Sequence, residues 1–301
     1  MNHPPDPHRA PVAPGVAVVG RANIDITVRI PQRPVPGRTT FASSAATTTP
    51  GGKSLNQALA AARTGIHTSL ISNAGDDHWG ALLHQALTDA AVDVSGFYLV
   101  PSGSTGIAVV EIDSDGENHI ILARAPESEL TGDQVHDRLT RLSAPVVVTQ
   151  LDLRPDAVNA VLRHHRADTL IGNLVPHPTL GAAALAPLDL FVSNQTEAAA
   201  ILGHHHTDPA DAAHELRELG PRAAVVTAGP AGAAYSHPTG TALVPTPHVN
   251  AVNTSGAGDT FLGTLAARLA YHTPLPEAVA AAVAAATTHV RTPAASYRSR
   301  T

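Results

Sequence analysis

Residues 253–261, with the sequence NTSGAGDTF, combine residue types that can support chemistry on a phosphate group. Three small residues, Gly256, Ala257 and Gly258, let the backbone approach a ligand and open a helical segment whose first N–H groups lack partners inside the helix. Free amides and the helix dipole together form a binding site for an anion. Asp259 follows in the first turn, where a carboxylate can accept a proton from an attacking hydroxyl. The same residues would also suit a glycine-rich turn in which Asp259 only favours the dipole.

A second segment, residues 50–58 with the sequence PGGKSLNQA, invites comparison with the phosphate-binding loop G-x-x-x-x-G-K-[ST]. Gly52, Lys53 and Ser54 fit the end of that motif, but its first glycine falls on Thr47. The preceding residues are threonines and a proline rather than a loop that leaves a buried strand. We therefore favour a Gly-Gly backbone that approaches a small ligand, with Lys53 and Asn56 as donors from the start of a helix.

A scaffold must position these segments, and strand-like and helix-like segments alternate after residue 15. Short apolar runs predict strands, while apolar residues at helical spacing predict helices. We expect strands at residues 16–19, 68–72, 146–151, 169–172, 190–193 and 223–227, and helices at residues 54–64, 80–91, 155–166, 195–202, 209–219, 258–270 and 276–288. This alternation predicts an α/β fold in which helices cover both faces of a mainly parallel sheet.

Two regions interrupt the alternation with strand-prone residues and no helix. Residues 24–48 contain a turn at Pro36-Gly37. Residues 106–122 predict a hairpin around Asp115-Gly116, which is a strong turn signal. Both regions should be antiparallel, and both could leave the main sheet to form one small subdomain.

The composition argues against several classes of function. The 301 residues include 19 Lys and Arg against 25 Asp and Glu, a formal charge of −6, with no basic block for nucleic acid or an anionic membrane surface. No apolar run approaches the ~18 residues of a membrane span. The lack of cysteine excludes disulfides and fits a reducing compartment. We expect a cytoplasmic protein with a disordered, proline-rich leader at residues 1–14 that lacks the apolar stretch of a signal peptide.

The chain contains 18 histidines, of which His204, His205 and His206 are adjacent. Histidine is a common metal ligand, so this run is the first place to look for a metal. Adjacent positions cannot place three rings on one face of a helix, and we therefore expect no specific metal site there.

Five segments, taken together and in this order, resemble the phosphofructokinase-B family of carbohydrate kinases, and most closely its ribokinase branch. They are GRANID at residues 20–25, GGKSLNQA at 51–58, SNQTEA at 193–198, TAGPAG at 227–232 and NTSGAGDTF at 253–261. The similarity extends from about residue 16 to about residue 290. Five motifs in family order are far more specific than any one of them.

The resemblance implies a ribokinase-like fold for residues 15–301. A three-layer α/β/α core with a mainly parallel sheet would comprise residues 15–23, 49–96 and 124–301, and a small antiparallel β-sheet lid would comprise residues 24–48 and 97–123. The lid would close over a sugar and exclude water, which otherwise competes with the sugar hydroxyl as phosphoryl acceptor. It could also form the interface of a homodimer.

The resemblance further implies in-line transfer of a phosphoryl group from magnesium-ATP to a sugar hydroxyl. Asp259 would be the base, the amides of Gly256, Ala257 and Gly258 would surround the moving group, and Glu197 would help to place Mg²⁺ indirectly. The sugar-binding residues implied are Asn23, Asp25, Gly52, Lys53, Asn56, Asp152 and Asp259. The nucleotide-binding residues implied are Asn194, Thr227, Gly229, Gly232 and Gly258.

Simpler explanations exist for some of these residues. Asn194 and Glu197 fit a helix capping box, Lys53 could be a solvated lysine, and Asp152 could be a charge at the end of a strand. The family's monovalent cation is also in question, because Asn253 stands where many ribokinases carry an aspartate. Residues 290–299 (VRTPAASYRS) lack the usual carbonyl loop, so we expect weak or no activation by potassium.

The substrate remains open within the family. The set Asn23, Asp25, Lys53 and Asn56 favours a free furanose, with D-ribose converted to ribose 5-phosphate as the first expectation. Residues 124–127 (RAPE) replace a small Gly-Ala-Asn element near the sugar pocket, so a nucleoside, fructose or a keto-deoxy sugar acid is the alternative. A non-catalytic sugar- or nucleotide-binding relative is less consistent with the intact GAGD and N-x-x-E elements. An oxidoreductase lacks support, since no G-x-G-x-x-G follows the first strand.

Overall fold

The computed structural model describes residues 15–114 and 118–292. The leader expected at residues 1–14, the turn expected at Asp115-Gly116 and most of the C-terminal segment considered for potassium lie outside the described residues. Within the described part of the chain, no helix has both the length and the apolar character needed to cross a bilayer.

Strands and helices alternate along most of the chain. The strands are β1 (Gly15–Val19), β2 (Asn23–Arg29), β3 (Thr47–Gly51), β4 (His67–Gly75), β5 (Phe97–Val100), β6 (Ile107–Ile112), β7 (Asn118–Ala123), β8 (Val146–Gln150), β9 (Thr169–Asn173), β10 (Leu190–Asn194), β11 (Ala223–Thr227), β12 (Ala233–His237) and β13 (Gly240–Val244). The helices are α1 (Lys53–Ala62), α2 (His78–Asp89), α3 (Gly132–Arg141), α4 (Pro155–His164), α5 (Gln195–Leu202), α6 (Pro209–Glu218), α7 (Ala257–Ala270) and α8 (Leu275–Val290). Where an element is predicted, its bounds differ from the observed ones by only a few residues.

The larger sheet has nine strands in the order β13-β12-β11-β10-β9-β8-β1-β4-β5. Neighbours from β11 to β5 pair in parallel, and the β11–β12–β13 end is antiparallel. Central strands such as β8 (VVVTQ) are buried along their whole length, as expected for a parallel sheet covered on both faces. The mainly parallel sheet predicted from the alternation is confirmed.

Helices cover both faces of this sheet because successive strand residues point in opposite directions. Val16 and Val18 of β1 belong to one apolar core with residues of α1, α2, α7 and α8. Ala17 and Val19 belong to a second core with residues of α3, α4 and α6. The expected three-layer α/β/α arrangement is therefore confirmed.

The smaller sheet has four strands in the order β3-β2-β6-β7. β2 pairs antiparallel with β3, and β6 pairs antiparallel with β7, whereas β2 and β6 are parallel to each other. A separate, mostly antiparallel unit is thus present, and its β6–β7 pair confirms the hairpin predicted at residues 106–122.

The strand pairing corrects two of the expected lid boundaries. Phe97–Val100 pairs in parallel with β4 at the edge of the larger sheet, so the lid does not begin at residue 97. Thr47–Gly51 pairs with β2, so the smaller sheet continues beyond residue 48. Both errors have one cause: the sequence of a short strand indicates extended backbone but not the strand with which it pairs.

Neither α3 nor the β12–β13 hairpin is predicted from the spacing of apolar residues. α3 (GDQVHDRLTR) has few apolar residues, but a capping box fixes its start. The Thr131 hydroxyl accepts from the backbone N–H of Gln134, whose side chain accepts from the backbone N–H of Thr131. Arg138 is buried on the inner face of α3 and donates to the carbonyl oxygen of Ser72. An arginine faces the interior here because of this tertiary contact. The inner face of α3 is therefore not marked by apolar residues, and their spacing does not predict the helix.

One glycine sets the distance between α1 and α7. A Cβ atom on Gly263 would overlap the carbonyl oxygen of Gln57 and lie 2.9 Å from the backbone nitrogen of Ala61. Because both obstacles are backbone atoms, neither can move aside easily. This close approach holds the GGKSLNQA and NTSGAGDTF segments beside each other.

Gly263→Ala should destabilise the protein by about 1–3 kcal/mol, because overpacking outweighs the ~1 kcal/mol that alanine normally contributes inside a helix. Gly258→Ala is the matched stability control, since a Cβ atom there has no neighbour within 4 Å. Urea unfolding of the two variants measures the difference. Equal free energies of unfolding would show that α1 and α7 have spare room at this contact.

Candidate active site

Asp259 lies in the first turn of α7, which begins at Ala257 after Gly256. Gly256 has a φ of +77°, a left-handed conformation that favours glycine. The carboxylate of Asp259 meets two amide side chains of α1. Its Oδ1 accepts from Nε2 of Gln57 at 3.1 Å, and its Oδ2 accepts from Nδ2 of Asn56 at 3.3 Å. These donors hold the carboxylate in one orientation.

Backbone N–H groups are also present at the start of α7. The N–H of Ala257 donates to the carbonyl oxygen of Thr254 at 3.3 Å, which closes a local turn. Within the described residues, the N–H groups of Gly258 and Asp259 have no backbone acceptor. Of the three donors expected, only Ala257 is therefore engaged; the N–H groups of Gly256 and Gly258 have no backbone acceptor within the described residues, and Asp259 adds a further open donor.

Residues at the end of α8 form hydrogen bonds with the turn that precedes α7. Nε2 of His289 lies 2.7 Å from the carbonyl oxygen of Ser255, and its Nδ1 lies 3.1 Å from Oγ1 of Thr260. A carbonyl only accepts, so Nε2 carries a hydrogen, and in this tautomer Nδ1 accepts a hydrogen bond from the Thr260 hydroxyl. The carbonyl oxygen of Val290 accepts from the amide of Asn253 at 3.1 Å. The sequence analysis missed His289, because one histidine near a helix end forms no recognisable pattern.

The surroundings of Asp259 change its affinity for a proton. Burial raises the pKa of the Asp259 carboxyl above its ordinary value. The positive charge of Lys53 and the hydrogen bonds from Gln57 and Asn56 oppose this effect, and the negative charge of Glu197 adds to it. Although part of the residue's surface stays exposed, the carboxylate itself faces protein atoms. A carboxylate with a raised pKa is a stronger base as long as it remains ionised.

Asn23 and Asp25 lie side by side on β2, as their spacing predicts. Nδ2 of Asn23 donates to Oδ1 of Asp25 at 2.6 Å. Gly51 and Gly52 leave room for both side chains, since a Cβ atom on Gly51 would overlap the Asp25 carboxylate and one on Gly52 would lie 2.7 Å from Oδ1 of Asn23. Burial raises the pKa of Asp25, the Asn23 hydrogen bond opposes this, and the charge of Asp259 raises the pKa further. The structure therefore brings the two carboxylates within electrostatic reach of each other.

Asn194 and Glu197 form a capping box at the start of α5. Oδ1 of Asn194 accepts from the N–H of Glu197 at 2.8 Å, and Oε2 of Glu197 accepts from the N–H of Asn194 at 3.1 Å. The helix capping box, which is the simpler explanation of this motif, is therefore present in the structure. The charge of Glu197 also raises the pKa of Asp259, so this end of α5 lies within electrostatic reach of Asp259.

Asp152 has a partner that the sequence analysis missed. Nη1 of Arg21 donates to its Oδ2 at 2.8 Å, and Nη2 of Arg21 donates to its backbone carbonyl oxygen at 2.8 Å. Arg21 also lies 3.9 Å from Glu129, which in turn lies 3.8 Å from Arg124. A sugar hydroxyl could therefore reach Asp152 only beside Arg21 or in its place. Arg21 stands inside GRANID, but the resemblance directs attention to Asn23 instead.

Two cavities adjoin these groups. The larger, of about 360 Å³, is lined by Thr227, Gly229, Gly232 and Gly258, together with apolar residues such as Phe261. Its volume is in the ~300–1,000 Å³ range of small-molecule sites. Asn194, the remaining residue expected to bind a nucleotide, does not line it.

The smaller cavity, of about 40 Å³, lies between Arg21, Asn23 and Arg124 near the smaller sheet. Its volume is that of a few water molecules rather than a sugar, because the arginine side chains extend into this region. Charged and amide side chains thus line much of the smaller cavity, where the smaller sheet meets the larger one. The larger cavity is lined mainly by apolar groups.

Comparison with known proteins identifies the family. A family model described as pfkB family carbohydrate kinase matches residues 13–301. A ribokinase of Schizosaccharomyces pombe is 31% identical over 280 residues, which cover 88% of this chain and 88% of that protein. An ATP-dependent ribose-1-phosphate kinase of Halopiger xanaduensis is 29% identical over 251 residues, which cover 82% of this chain and 81% of that protein.

Two further similarities concern length and fold. The chain is 27% identical over 261 residues to a bifunctional ribokinase/ribose-5-phosphate isomerase A of Fructilactobacillus sanfranciscensis, of which it spans 48%. The structure of an Arabidopsis thaliana ribokinase complexed with ribose and ATP has a TM-score of 0.80 and 27% identity, and the alignment covers 94% of this chain and 95% of that one. Since the family model matches nearly the whole chain and ribokinases share its fold, the protein belongs to the pfkB family of carbohydrate kinases, in its ribokinase branch.

Proposed function

We propose that this sugar kinase transfers the γ-phosphoryl group of ATP to a primary hydroxyl, with D-ribose converted to ribose 5-phosphate as the leading reaction. The position of the Asp259 carboxylate carries the proposal. It lies within electrostatic reach of Asp25 on β2, and it directly follows Gly258, which lines the larger cavity. A base at that junction could meet a hydroxyl from one side and a nucleotide from the other.

The proposed reaction follows from this arrangement. The sugar oxygen forms a bond to the γ-phosphorus as the bond to the ADP oxygen breaks, and Asp259 accepts the hydroxyl proton. The N–H groups of Gly258 and Asp259 and the dipole of α7 stabilise negative charge on the phosphoryl group. Asn56 and Gln57 keep the carboxylate oriented for the transfer.

The sugar is proposed to lie against Asn23, Asp25, Gly52, Lys53 and Asn56, with Asp152 contributing beside Arg21. These groups offer charged and amide partners for several hydroxyls. An apolar substrate would leave them buried without partners, at a cost of about 1–3 kcal/mol for each group. The smaller sheet adjoins this place, as a lid that excludes water should.

ATP is proposed to occupy the larger cavity, against Thr227, Gly229 and Gly232, with Asn194 towards the phosphates. Mg²⁺ commonly binds through one or two carboxylates, phosphate oxygens and several waters. The carboxylate of Glu197, partly engaged in its capping box, fits such an indirect contact. When bound, the ion would neutralise charge on the phosphates.

A sugar that carries an anionic group is the second candidate substrate. Arg21, Arg124 and Arg154 line the smaller cavity, and Nε of Arg21 is buried with no hydrogen-bond partner in the described residues. A guanidinium group binds carboxylate or phosphate well, so a sugar phosphate or a keto-deoxy sugar acid could replace Asp152 as the partner of Arg21. The relative named as a ribose-1-phosphate kinase acts on a phosphorylated sugar. Fructose and nucleosides lack such a specific observation.

The exposed apolar edge of the smaller sheet supports a homodimer formed through the lid. Ile120, Ile121 and Leu122 of β7 are 62%, 58% and 43% exposed, and β7 is an edge strand. An apolar edge of this kind is commonly covered by another chain.

An enzyme that consumes ATP is expected to act in the cytoplasm, where ATP is abundant.

An ADP-release screen tests the proposed function. D-ribose, ribose 1-phosphate, a keto-deoxy sugar acid, fructose and nucleosides are compared by kcat/KM. Arg21→Gln should lower kcat/KM for an anionic sugar and not for a neutral one, while Arg63→Gln at the exposed end of α1 serves as the control. The absence of sugar-dependent ADP release with every compound would overturn the proposal.

Asp259→Asn should lower kcat by ~10²–10⁴-fold, the contribution expected of a general base, with little change in ATP affinity. Stability should stay the same or rise. Because the pKa of Asp259 is raised on folding, stability falls as pH rises from the unfolded to the folded pKa, and the charge destabilises the fold at neutral pH. Asp211→Asn, in the first turn of α6, is the control for a simple dipole effect. A kcat within a few-fold of wild type would remove Asp259 from the role of base.

The pH profile of kcat/KM should show an acid limb, since Asp259 must be ionised to accept a proton. Burial raises its pKa, so the midpoint should lie above about 3.9, the ordinary aspartate value. Gln57→Met removes a hydrogen bond that favours the charged form, and the midpoint should then move to higher pH. Gln85→Met, at an exposed site on α2, should keep the wild-type midpoint. An unchanged midpoint in Gln57→Met would assign the limb to another group.

Potassium should stimulate the kinase weakly or not at all, because oxygens around Asn253 are already engaged within the protein. Oδ1 of Asn253 accepts from the N–H of Ser255, and the carbonyl oxygen of Ser255 accepts from His289. Assays at matched ionic strength in potassium and in N-methylglucamine should give the same kcat. A large increase specific to potassium would contradict this account of the turn.

A further inference from the structure

Two histidines and a glutamate converge between α5 and α6, outside the proposed active site. α5 ends at Leu202, and Gly203, with a φ of +80°, turns the chain towards α6. His204 and His206 follow this turn, and Glu215 comes from α6. The Nε2 atoms of the two histidines are 3.1 Å apart, and Oε2 of Glu215 lies 3.1 Å from the first and 2.6 Å from the second.

This arrangement differs from the one considered in the sequence analysis. The three adjacent histidines do not lie on a helix, since the run follows α5 in an irregular segment. His204 and His206, two positions apart, can share one side of such a segment, and His205 is not part of the cluster. The third donor comes from another helix, so no local pattern could reveal it. The expectation of no metal site therefore rested on the wrong backbone conformation.

The backbone at Leu202 fixes the tautomer of one ring. Nδ1 of His204 lies 3.2 Å from the carbonyl oxygen of Leu202, which can only accept, so Nδ1 carries a hydrogen. In this tautomer, Nε2 carries a lone pair that faces the carboxylate oxygen of Glu215. A lone pair and a carboxylate repel unless a proton or a metal cation lies between them.

The donor spacing fits a metal ion of ordinary size. Zinc binds histidine nitrogen and carboxylate oxygen at about 2.0–2.2 Å, so donors of a tetrahedral site lie roughly 3.3 Å apart. Two of the separations here are 3.1 Å, and the His206–Glu215 pair at 2.6 Å needs only a modest widening. The bond from His204 to the Leu202 carbonyl is the outer contact that commonly orients a metal-binding imidazole. The ring of His204 is exposed, which gives an ion access from solvent.

We propose that His204, His206 and Glu215 form a binding site for a divalent transition metal, with Zn²⁺ as the best match. The ion would link the segment after α5 to α6, and a water molecule would occupy the remaining coordination position. Mg²⁺, the ion proposed for the kinase site, prefers an octahedron of oxygen ligands and does not suit two imidazoles. Because the cluster lies at the end of α5 opposite to Asn194 and Glu197, the bound ion acts on stability rather than on phosphoryl transfer.

Zinc titration of the untagged full-length chain, after chelator treatment and dialysis, tests the proposal. Calorimetry should show one saturable zinc per chain at this site. His206→Ala and Glu215→Gln should each weaken this binding by at least about 10-fold. His205→Ala is the matched control and should bind zinc as the wild type does. Zinc should also raise the Tm of the wild type and of His205→Ala, but not that of Glu215→Gln.

Cobalt provides a second readout that does not depend on stability. Co²⁺ bound by two imidazoles and a carboxylate should give visible absorption bands in the wild type that are absent from Glu215→Gln. Equal zinc affinity in the wild type, His206→Ala and Glu215→Gln would overturn the proposal, as would failure of the wild type to bind zinc. Either result would mean that the cluster holds a proton only. Neither titration uses ATP or sugar, so a failure here is distinct from a failure of the proposed function.

Discussion

The contact between the Asp259 carboxylate and the amide side chains of α1 is the interaction on which the proposed active site depends. Burying a carboxylate is costly unless donors compensate, and Asn56 and Gln57 supply them. Gln57 is only 2% exposed, so its amide is held by packing before any ligand arrives. The contact exists because Gly263 lets α1 and α7 approach at backbone distance. Gly263, which has no reactive side chain, thus determines where the Asp259 carboxylate lies.

The same contact links Asp259, the proposed base, to the smaller sheet. β3 ends at Gly51 and α1 begins at Lys53. Gly52 is therefore the one residue between a strand of that sheet and α1, the helix whose side chains bond to the Asp259 carboxylate. Gly52 has a φ of +92°, a conformation that favours glycine, and a side chain there would also meet Asn23. A displacement of the smaller sheet would therefore reach α1 through a single residue. If the smaller sheet acts as the proposed lid, this connection gives a physical basis for coupling between its position and the orientation of the Asp259 carboxylate.

Sequence and structure agree best where function depends on residues close together in the chain. The alternation of strands and helices, the glycine-rich start of α7 and the Asn23–Asp25 pair are all visible in local patterns. Long-range contacts are not. Gln57 lies beside a residue that was singled out, yet its contact with Asp259 spans 202 positions. Arg21 reaches Asp152 across 131 positions, and His289 reaches Ser255 across 34. Spacing rules cannot anticipate such partners, which is also why the His204–Glu215 cluster was missed.

The location of the sugar hydroxyl relative to Asp259 tests the central claim most directly. It can be measured in a crystal structure of the protein with its best sugar substrate and a non-hydrolysable ATP analogue. The account predicts the primary hydroxyl oxygen within about 3 Å of a carboxylate oxygen of Asp259, and the γ-phosphate at the N–H groups of Gly258 and Asp259. A complex with both ligands bound, but with the hydroxyl out of reach of Asp259 and closer to another base, would contradict it.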